Sequence, residues 1–182
     1  MAKKHKLEGT KVPNVVLKTR VRDETMEEPN KFRWEEVKTK DLFAGKKVLL
    51  FALPGAFTPT CSNHQLPNYE KLHREFVKQG VDEVHCLSVN DAFVMFQWGR
   101  AQKVKNVKLL PDGSGAFTEK LGMLVKKDNL GFGTRSWRYA MIVNDGVIEK
   151  MFEEPGRKHN HKEDPYGESS PENVLSWMLN HA

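Results

Sequence analysis

An α/β fold with a mixed central β-sheet flanked by helices is what this sequence predicts, and three observations carry the prediction. Residues 48–52 form a continuous apolar block, the composition of a strand buried on both faces. Downstream, strand-like and helix-like segments alternate as far as Pro111, the order that builds parallel β-α-β units. Nearer the C-terminus two apolar runs flank Asn144-Asp145-Gly146, a turn that joins antiparallel strands, so the sheet is mixed.

Taken in order, the strand at 48–52 stops before the turn-forming pair Pro54-Gly55. After a loop, the apolar residues Leu66, Tyr69, Leu72, Phe76 and Val77 recur at three- and four-residue steps. Residues 61–79 therefore read as a helix, with Gly80 as its C-terminal stop. Residues 84–89 read as the next strand. A helix over 92–102 follows, N-capped near Asn90 or Asp91, and a third strand at 107–110 runs into Pro111-Asp112-Gly113. Strands at 138–143 and 147–152 make the hairpin, and a last helix covers 171–179. This order is that of thioredoxin-like folds. Residues 153–170, rich in charge, Pro, Gly and His, read as an irregular surface loop. With no internal repeat and no second hydrophobic unit, residues 1–182 are expected to form one domain with a basic N-terminal arm at 1–8.

A chain of 182 residues is long enough to bury a core without disulfide or metal staples. It contains no run of eighteen or more apolar residues, so a soluble protein without a membrane partner is expected. The charged start, Met1-Ala2-Lys3-Lys4-His5-Lys6-Leu7-Glu8, lacks the apolar middle of a secretory signal, and the chain has only two cysteines. Both facts point to a reducing cytoplasm, where thiols serve chemistry rather than cross-linking. The net charge of +5 sits in residues 1–20, which hold six Lys or Arg against one Glu, and the rest of the chain is neutral. A short basic arm on a neutral body reads as a solvated terminus, so no nucleic-acid partner is expected.

Chemistry concentrates at Cys61. It stands at the start of the 61–79 helix, where unpaired backbone N–H groups and the positive end of the helix dipole favour a thiolate. Ionisation alone does not make a fast nucleophile. A free thiol titrates near 8.5 and is about a tenth or less ionised at neutral pH, so even complete ionisation gains only about ten- to thirtyfold. Large acceleration needs groups that hold the electrophile and take up charge on its leaving atom. Thr58, three residues earlier, offers a hydroxyl that can accept a proton from a bound substrate while pointing its own at sulfur or oxygen. Pro54 and Pro59 stiffen the loop and can screen the sulfur from water. The remaining requirement is a cation.

The signature Pro-x-x-x-Thr-x-x-Cys, here Pro54, Thr58 and Cys61, resembles that of the peroxiredoxins. The run Phe-Ala-Leu-Pro-Gly-Ala-Phe-Thr-Pro-Thr-Cys-Ser at 51 to 62, Cys-Leu-Ser-Val-Asn-Asp at 86 to 91 and Arg-Ser-Trp-Arg-Tyr at 135 to 139 are similar to the peroxiredoxin 5 subfamily. That subfamily includes plant type II enzymes and bacterial peroxiredoxin-glutaredoxin fusions, and the likeness covers residues 9–179. The resemblance implies a thiol-dependent peroxidase for hydrogen peroxide and alkyl hydroperoxides, with no bound cofactor and no metal. It implies that Arg138, directly before the first hairpin strand, pairs with the Cys61 sulfur, and that the N–H groups of Thr60 and Cys61 donate to the peroxide oxygens. Cys61, Thr58 and Arg138 are then the catalytic residues, and Pro54, Thr60 and Cys61 the substrate-binding ones. The expected reaction is in-line attack of the thiolate on one peroxide oxygen, giving a sulfenic acid and water or an alcohol. The resemblance also implies a homodimer with Phe57 and Phe93 near its interface, whereas spacing alone puts Phe57, Phe93, Phe96 and Trp98 in the core.

Cys86 lies mid-strand on the face of Val84 and Ser88 and reads as buried and inert. A rigid central strand does not bring its Cα within the roughly 7 Å of that of Cys61 that a disulfide needs. Where some members of the resembled subfamily carry a C-terminal resolving cysteine, this chain has Tyr166-Gly167-Glu168-Ser169-Ser170. A one-cysteine cycle is expected, closed by an external thiol: glutathione with glutaredoxin first, thioredoxin second. A disulfide reductase would need Cys-x-x-Cys, but Thr58 stands where the first sulfur would be. His159-Asn160-His161 lacks the companions of a metal site and reads as surface loop, and His64 and His73 read as solvated or partly packed. The alternative is a peroxide sensor, in which the Cys61 sulfenic acid relays oxidation to a partner as a mixed disulfide.

Overall fold

A computed structural model describes residues 3–182. The chain opens with a ribbon of two antiparallel strands, β1 (Val16–Arg22) and β2 (Phe32–Lys38), followed by the short helix α1 (Thr39–Phe43). Strand β3 (Lys47–Leu53) leads through a loop to a π-helical turn, Cys61–Gln65, that continues as α2 (Leu66–Lys78). Next come β4 (Glu83–Ser88), α3 (Ala92–Ala101), β5 (Lys108–Pro111), α4 (Ala116–Leu121) and the short pair β6 (Leu124–Lys126) and β7 (Thr134–Ser136). The hairpin β8 (Tyr139–Asn144) and β9 (Val147–Glu153) and the helix α5 (Pro171–Asn180) complete the order.

The central sheet runs β5-β4-β3-β8-β9. Its first three strands are parallel, and β8 and β9 are antiparallel to their neighbours. This is the mixed, helix-flanked sheet of the thioredoxin-like arrangement, and each strand and helix expected after residue 47 is present to within two residues at either end. Strand β3 is central because both its faces are apolar. Leu49, Phe51 and Leu53 pack with Tyr69, Phe76, Val174 and Met178. Val48, Leu50 and Ala52 pack with Phe43, Phe117, Trp137 and Tyr139 on the other side. Phe51 stacks on Tyr69 with ring centroids 3.8 Å apart. Each large side chain removed from water in this way stabilises the fold by about 1.5–3 kcal/mol. That two-sided burial fixes the carboxyl end of β3, where the loop to Cys61 begins. The hairpin turn also forms as its residues require: Asp145 and Gly146 take φ of 47° and 78°, the left-handed pair that matches strand twist.

The first 46 residues contribute elements that apolar patterning does not predict. Leu17 is the one buried residue of the β1–β2 ribbon, so its strands show no apolar alternation. Polar contacts hold it instead, including an Arg33–Asp23 ion pair of 3.2 Å and the Arg20 guanidinium 4.1 Å from the Phe93 ring centroid. Helix α4 also escapes sequence reading. It is short, and the buried Asp112 carboxylate caps it by accepting from the N–H groups of Phe117 and Thr118 and the Thr118 hydroxyl.

The aromatic cluster divides. Trp98 is in the core, but Phe57, Phe93 and Phe96 are 56%, 50% and 40% exposed, which corrects the core placement that spacing alone gives them. The buried face of α3 is Ala92, Met95 and Trp98. Phe93 and Phe96 turn instead toward the ribbon, edge-on to Trp34 at 5.7 Å and Phe32 at 5.1 Å. Among the described residues no helix is long and apolar enough to cross a membrane.

Candidate active site

The register of β3 against β8 pairs Ala52 with Tyr139, so the end of one strand meets the start of the other. This pairing brings Cys61 and Arg138, 77 residues apart, to the same place. After Leu53 the chain makes a tight turn. Gly55 is required there, because a Cβ would lie 2.4 Å from Arg135 Nη1 and 3.2 Å from Thr58 Cγ2. The Thr58 N–H and hydroxyl both donate to the Gly55 carbonyl, at 3.4 and 2.7 Å, and the Ala56 N–H donates to Asn90 Oδ1 at 3.0 Å. Phe57 is held at φ 63°, a conformation that costs a non-glycine residue about 1–2 kcal/mol.

The helix starts at Pro59, where a missing N–H breaks no bond. Ser62 N–H donates to the Thr58 carbonyl at 3.0 Å, while the N–H groups of Thr60 and Cys61 are first-turn donors with no helical acceptor. In the turn Cys61–Gln65 the Leu66 N–H donates to the Cys61 carbonyl, a widened turn of the sort found at functional sites. Cys61 is fully buried.

Arg138 is buried too. Its Nη1 donates to Cys61 Sγ at 3.7 Å and also to Gln65 Oε1. Nη2 donates to the Asp164 carboxylate, the Tyr166 ring lies 5.6 Å from the guanidinium carbon, and Nε has no partner among the described residues. Burial works to lower the Arg138 pKa, but the negative charges of Cys61 and Asp164 outweigh it and the pKa rises. Two more cations stand in electrostatic reach of the sulfur. Arg135 donates to the carbonyls of Pro54 at 3.1 Å and Phe132 at 3.2 Å; burial lowers its pKa against the pull of Cys61. Lys127, buried 5.6 Å from the Trp137 ring centroid, is lowered by burial, with Asp164 and Cys61 opposing and Arg138 adding to the shift. Burial pushes the Tyr166 hydroxyl up to about 12.

The structure brings Arg138 against Cys61, with Pro54, Thr58 and Thr60 on the loop and first turn that lead into Cys61. The Thr58 proton goes to the Gly55 carbonyl oxygen, which leaves the hydroxyl oxygen as an acceptor. Cys86 is buried in β4, in register with Phe51 and Leu109, and burial reinforced by the charge of Cys61 pushes its thiol well up. His159 and His161 make loop contacts. His159 Nδ1 accepts from Lys126 N–H at 2.9 Å, and the His161 ring is edge-on to Trp137 at 5.5 Å. Sequence reasoning misses Gln65, Arg135, Asp164, Tyr166 and Lys127. Of these only Gln65 leaves a local trace, as a polar residue beside Leu66 on the buried face of the helix.

A sequence profile described as Redoxin matches residues 7–168. A peroxiredoxin of Rhizobium etli is 62% identical over 167 residues, covering 92% of this chain and 93% of that protein. The hybrid peroxiredoxin hyPrx5 of Haemophilus influenzae is 48% identical over 172 residues, covering 94% of this chain and 66% of its own length. Among solved structures, the Plasmodium falciparum antioxidant protein, described as a 1-Cys peroxiredoxin, superposes with a TM-score of 0.88 at 36% identity, covering 95% of this chain and 99% of that one.

Proposed function

Because this chain belongs to the Redoxin family as a peroxiredoxin of the peroxiredoxin 5 type, and so is a thiol-dependent peroxidase, we propose that Cys61 is its peroxide-reducing sulfur. The observation that carries this reading is the buried 3.7 Å contact between Arg138 Nη1 and Cys61 Sγ at a helix start. The Cys61 thiolate attacks one oxygen of hydrogen peroxide or an alkyl hydroperoxide. An S–O bond forms as the O–O bond breaks, the proton of the attacked oxygen passes to the departing one, and the products are water or an alcohol and a sulfenate, which takes up a proton from solvent to become the sulfenic acid. Thr58 Oγ1, its own proton engaged by Gly55, accepts from the peroxide O–H. The N–H groups of Thr60 and Cys61, with the Arg138 guanidinium, stabilise charge on the oxygens, and Pro54 walls the pocket.

The cycle uses one cysteine. Cys86 is buried, its thiol is pushed up, and it is bound in the sheet between two neighbouring strands, all of which support an inert role. An external thiol then condenses with the sulfenic acid, releasing water, and a second thiol frees Cys61 from the mixed disulfide. Glutathione with glutaredoxin is the first reductant and thioredoxin the second. Support comes from a structural neighbour described as 1-Cys and from a relative described as hybrid, a third of which lies outside the match. The enzyme works in the cytoplasm as one domain, and as a homodimer through the exposed Phe57 and Phe93. Peroxide consumption with each reductant tests the cycle: fast turnover with glutathione and glutaredoxin is expected, and turnover with thioredoxin alone would overturn the order.

A further inference from the structure

We propose that Asp164 is a positioning residue for the peroxidase reaction, its carboxylate holding the Arg138 guanidinium in the orientation that aims Nη1 at the Cys61 sulfur. The inference rests on the reading of Cys61 and Arg138 given above. A guanidinium is a rigid fork of five N–H donors. Here Nη1 carries both the sulfur and Gln65, and Nε has no partner among the described residues. A planar group held by its own side chain and by hydrogen bonds at Nη1 alone can still swing about the line that joins the two. The Asp164 carboxylate on Nη2 supplies the second fixed point, and the Tyr166 ring at 5.6 Å backs the plane.

The irregular segment 153–170 that carries Asp164 is anchored on both sides of it. The buried Glu154 carboxylate accepts from the N–H groups of Gly167 at 3.2 Å, Glu168 at 3.1 Å and Ser169 at 2.7 Å, and from the Ser169 hydroxyl at 2.7 Å. The Tyr69 hydroxyl on α2 donates to the Ser169 carbonyl at 2.6 Å, and Trp137 Nε1 donates to the Glu154 carbonyl at 2.8 Å. The segment is thereby tied both to the helix that carries Cys61 and to the stretch that carries Arg138. The Asp164 side chain is 46% exposed against 2% for Arg138. An ion pair so open to water adds little to fold stability. Its effect falls on the buried cation beside the sulfur.

The test compares Asp164→Ala with the wild-type protein in two reactions of Cys61: oxidation by hydrogen peroxide and alkylation by iodoacetamide at the same pH. Alkylation reports the thiolate and its accessibility, whereas peroxide reduction also needs an aimed guanidinium. The peroxide rate is expected to fall about ten- to a hundredfold, the scale of a misplaced catalytic group, with alkylation unchanged within about twofold. A peroxide rate less than about fivefold down overturns the proposal. So does alkylation that falls in parallel, which marks lost thiolate, or that accelerates, which marks an opened loop. Wild-type protein in which peroxide leaves Cys61 unoxidised would instead sink the underlying reading.

Discussion

Replacing Arg138 by Met removes the cation beside Cys61 while keeping much of its length. At an effective dielectric of 20, a unit charge pair at the observed 3.7 Å is worth about 4 kcal/mol, which is a ceiling. A hydrogen bond to a charged group contributes about 1.5–3 kcal/mol net, so the rate constant for Cys61 oxidation should drop by about 10- to 150-fold. The fold pays a smaller cost. Gln65, fully buried, loses the partner of its Oε1, which costs about 1–3 kcal/mol, while Asp164 rehydrates because it is half exposed. Trp98 offers the optical probe, since its indole N–H donates to Ser62 Oγ at 3.0 Å, one residue from the sulfur. Stopped-flow fluorescence on mixing with peroxide gives the rate, and a thermal melt checks the fold. An R138M rate within about threefold of wild type, in folded protein, would refute the assigned role of the guanidinium. Arg138→Lys should recover only part of the rate, because an ammonium cannot meet sulfur, Gln65 and Asp164 in one plane.

Cys86→Ala should leave glutathione-supported turnover within about twofold while costing about 1–2 kcal/mol of stability from the vacated core volume; loss of turnover would make Cys86 a redox partner. Phe93→Asp should shift sedimentation from dimer to monomer at micromolar concentration, and a wild-type protein that is monomeric there contradicts the proposed assembly. Glu83 gives a pH signature. Burial works against its carboxylate, but hydrogen bonds from His85, Lys108 and Lys46 outweigh it and lower its pKa from 4.5 to about 2. A depressed carboxylate pKa stabilises the fold above 4.5 and the benefit is lost as pH falls toward 2. Urea unfolding at pH 6 and pH 3.5 should therefore show a larger acid loss in wild type than in Glu83→Gln, and equal losses would contradict the assignment.

The sheet is legible in the sequence because β3 is apolar on both faces and the Asp145-Gly146 turn requires left-handed backbone that few other pairs adopt. Cys61 and Thr58 are legible as a loop and helix start, since both lie in one short segment. Arg138 is different in kind. Nothing local ties it to a residue 77 positions earlier, and only the family resemblance points to it; the β3–β8 register supplies the physical reason. Asp164 is invisible because the composition of 153–170 speaks of charge and turns, not of which carboxylate turns inward. The β1–β2 ribbon is invisible for the opposite reason, its strands being mostly exposed and held by charges that leave no apolar period. Phe93 and Phe96 read as core by spacing and turn out exposed, because helical spacing does not say which apolar stripe faces the sheet, while Phe57 is exposed in the turn before Pro59.

The central claim, that Cys61 alone is the sulfur oxidised by peroxide, is tested most directly by mass spectrometry after one equivalent of hydrogen peroxide and a sulfenic-acid trap such as dimedone. The account predicts the adduct on the peptide carrying Cys61, none on that carrying Cys86, and no peroxide consumption by folded Cys61→Ser. An adduct on Cys86, or continued consumption by Cys61→Ser, would contradict it.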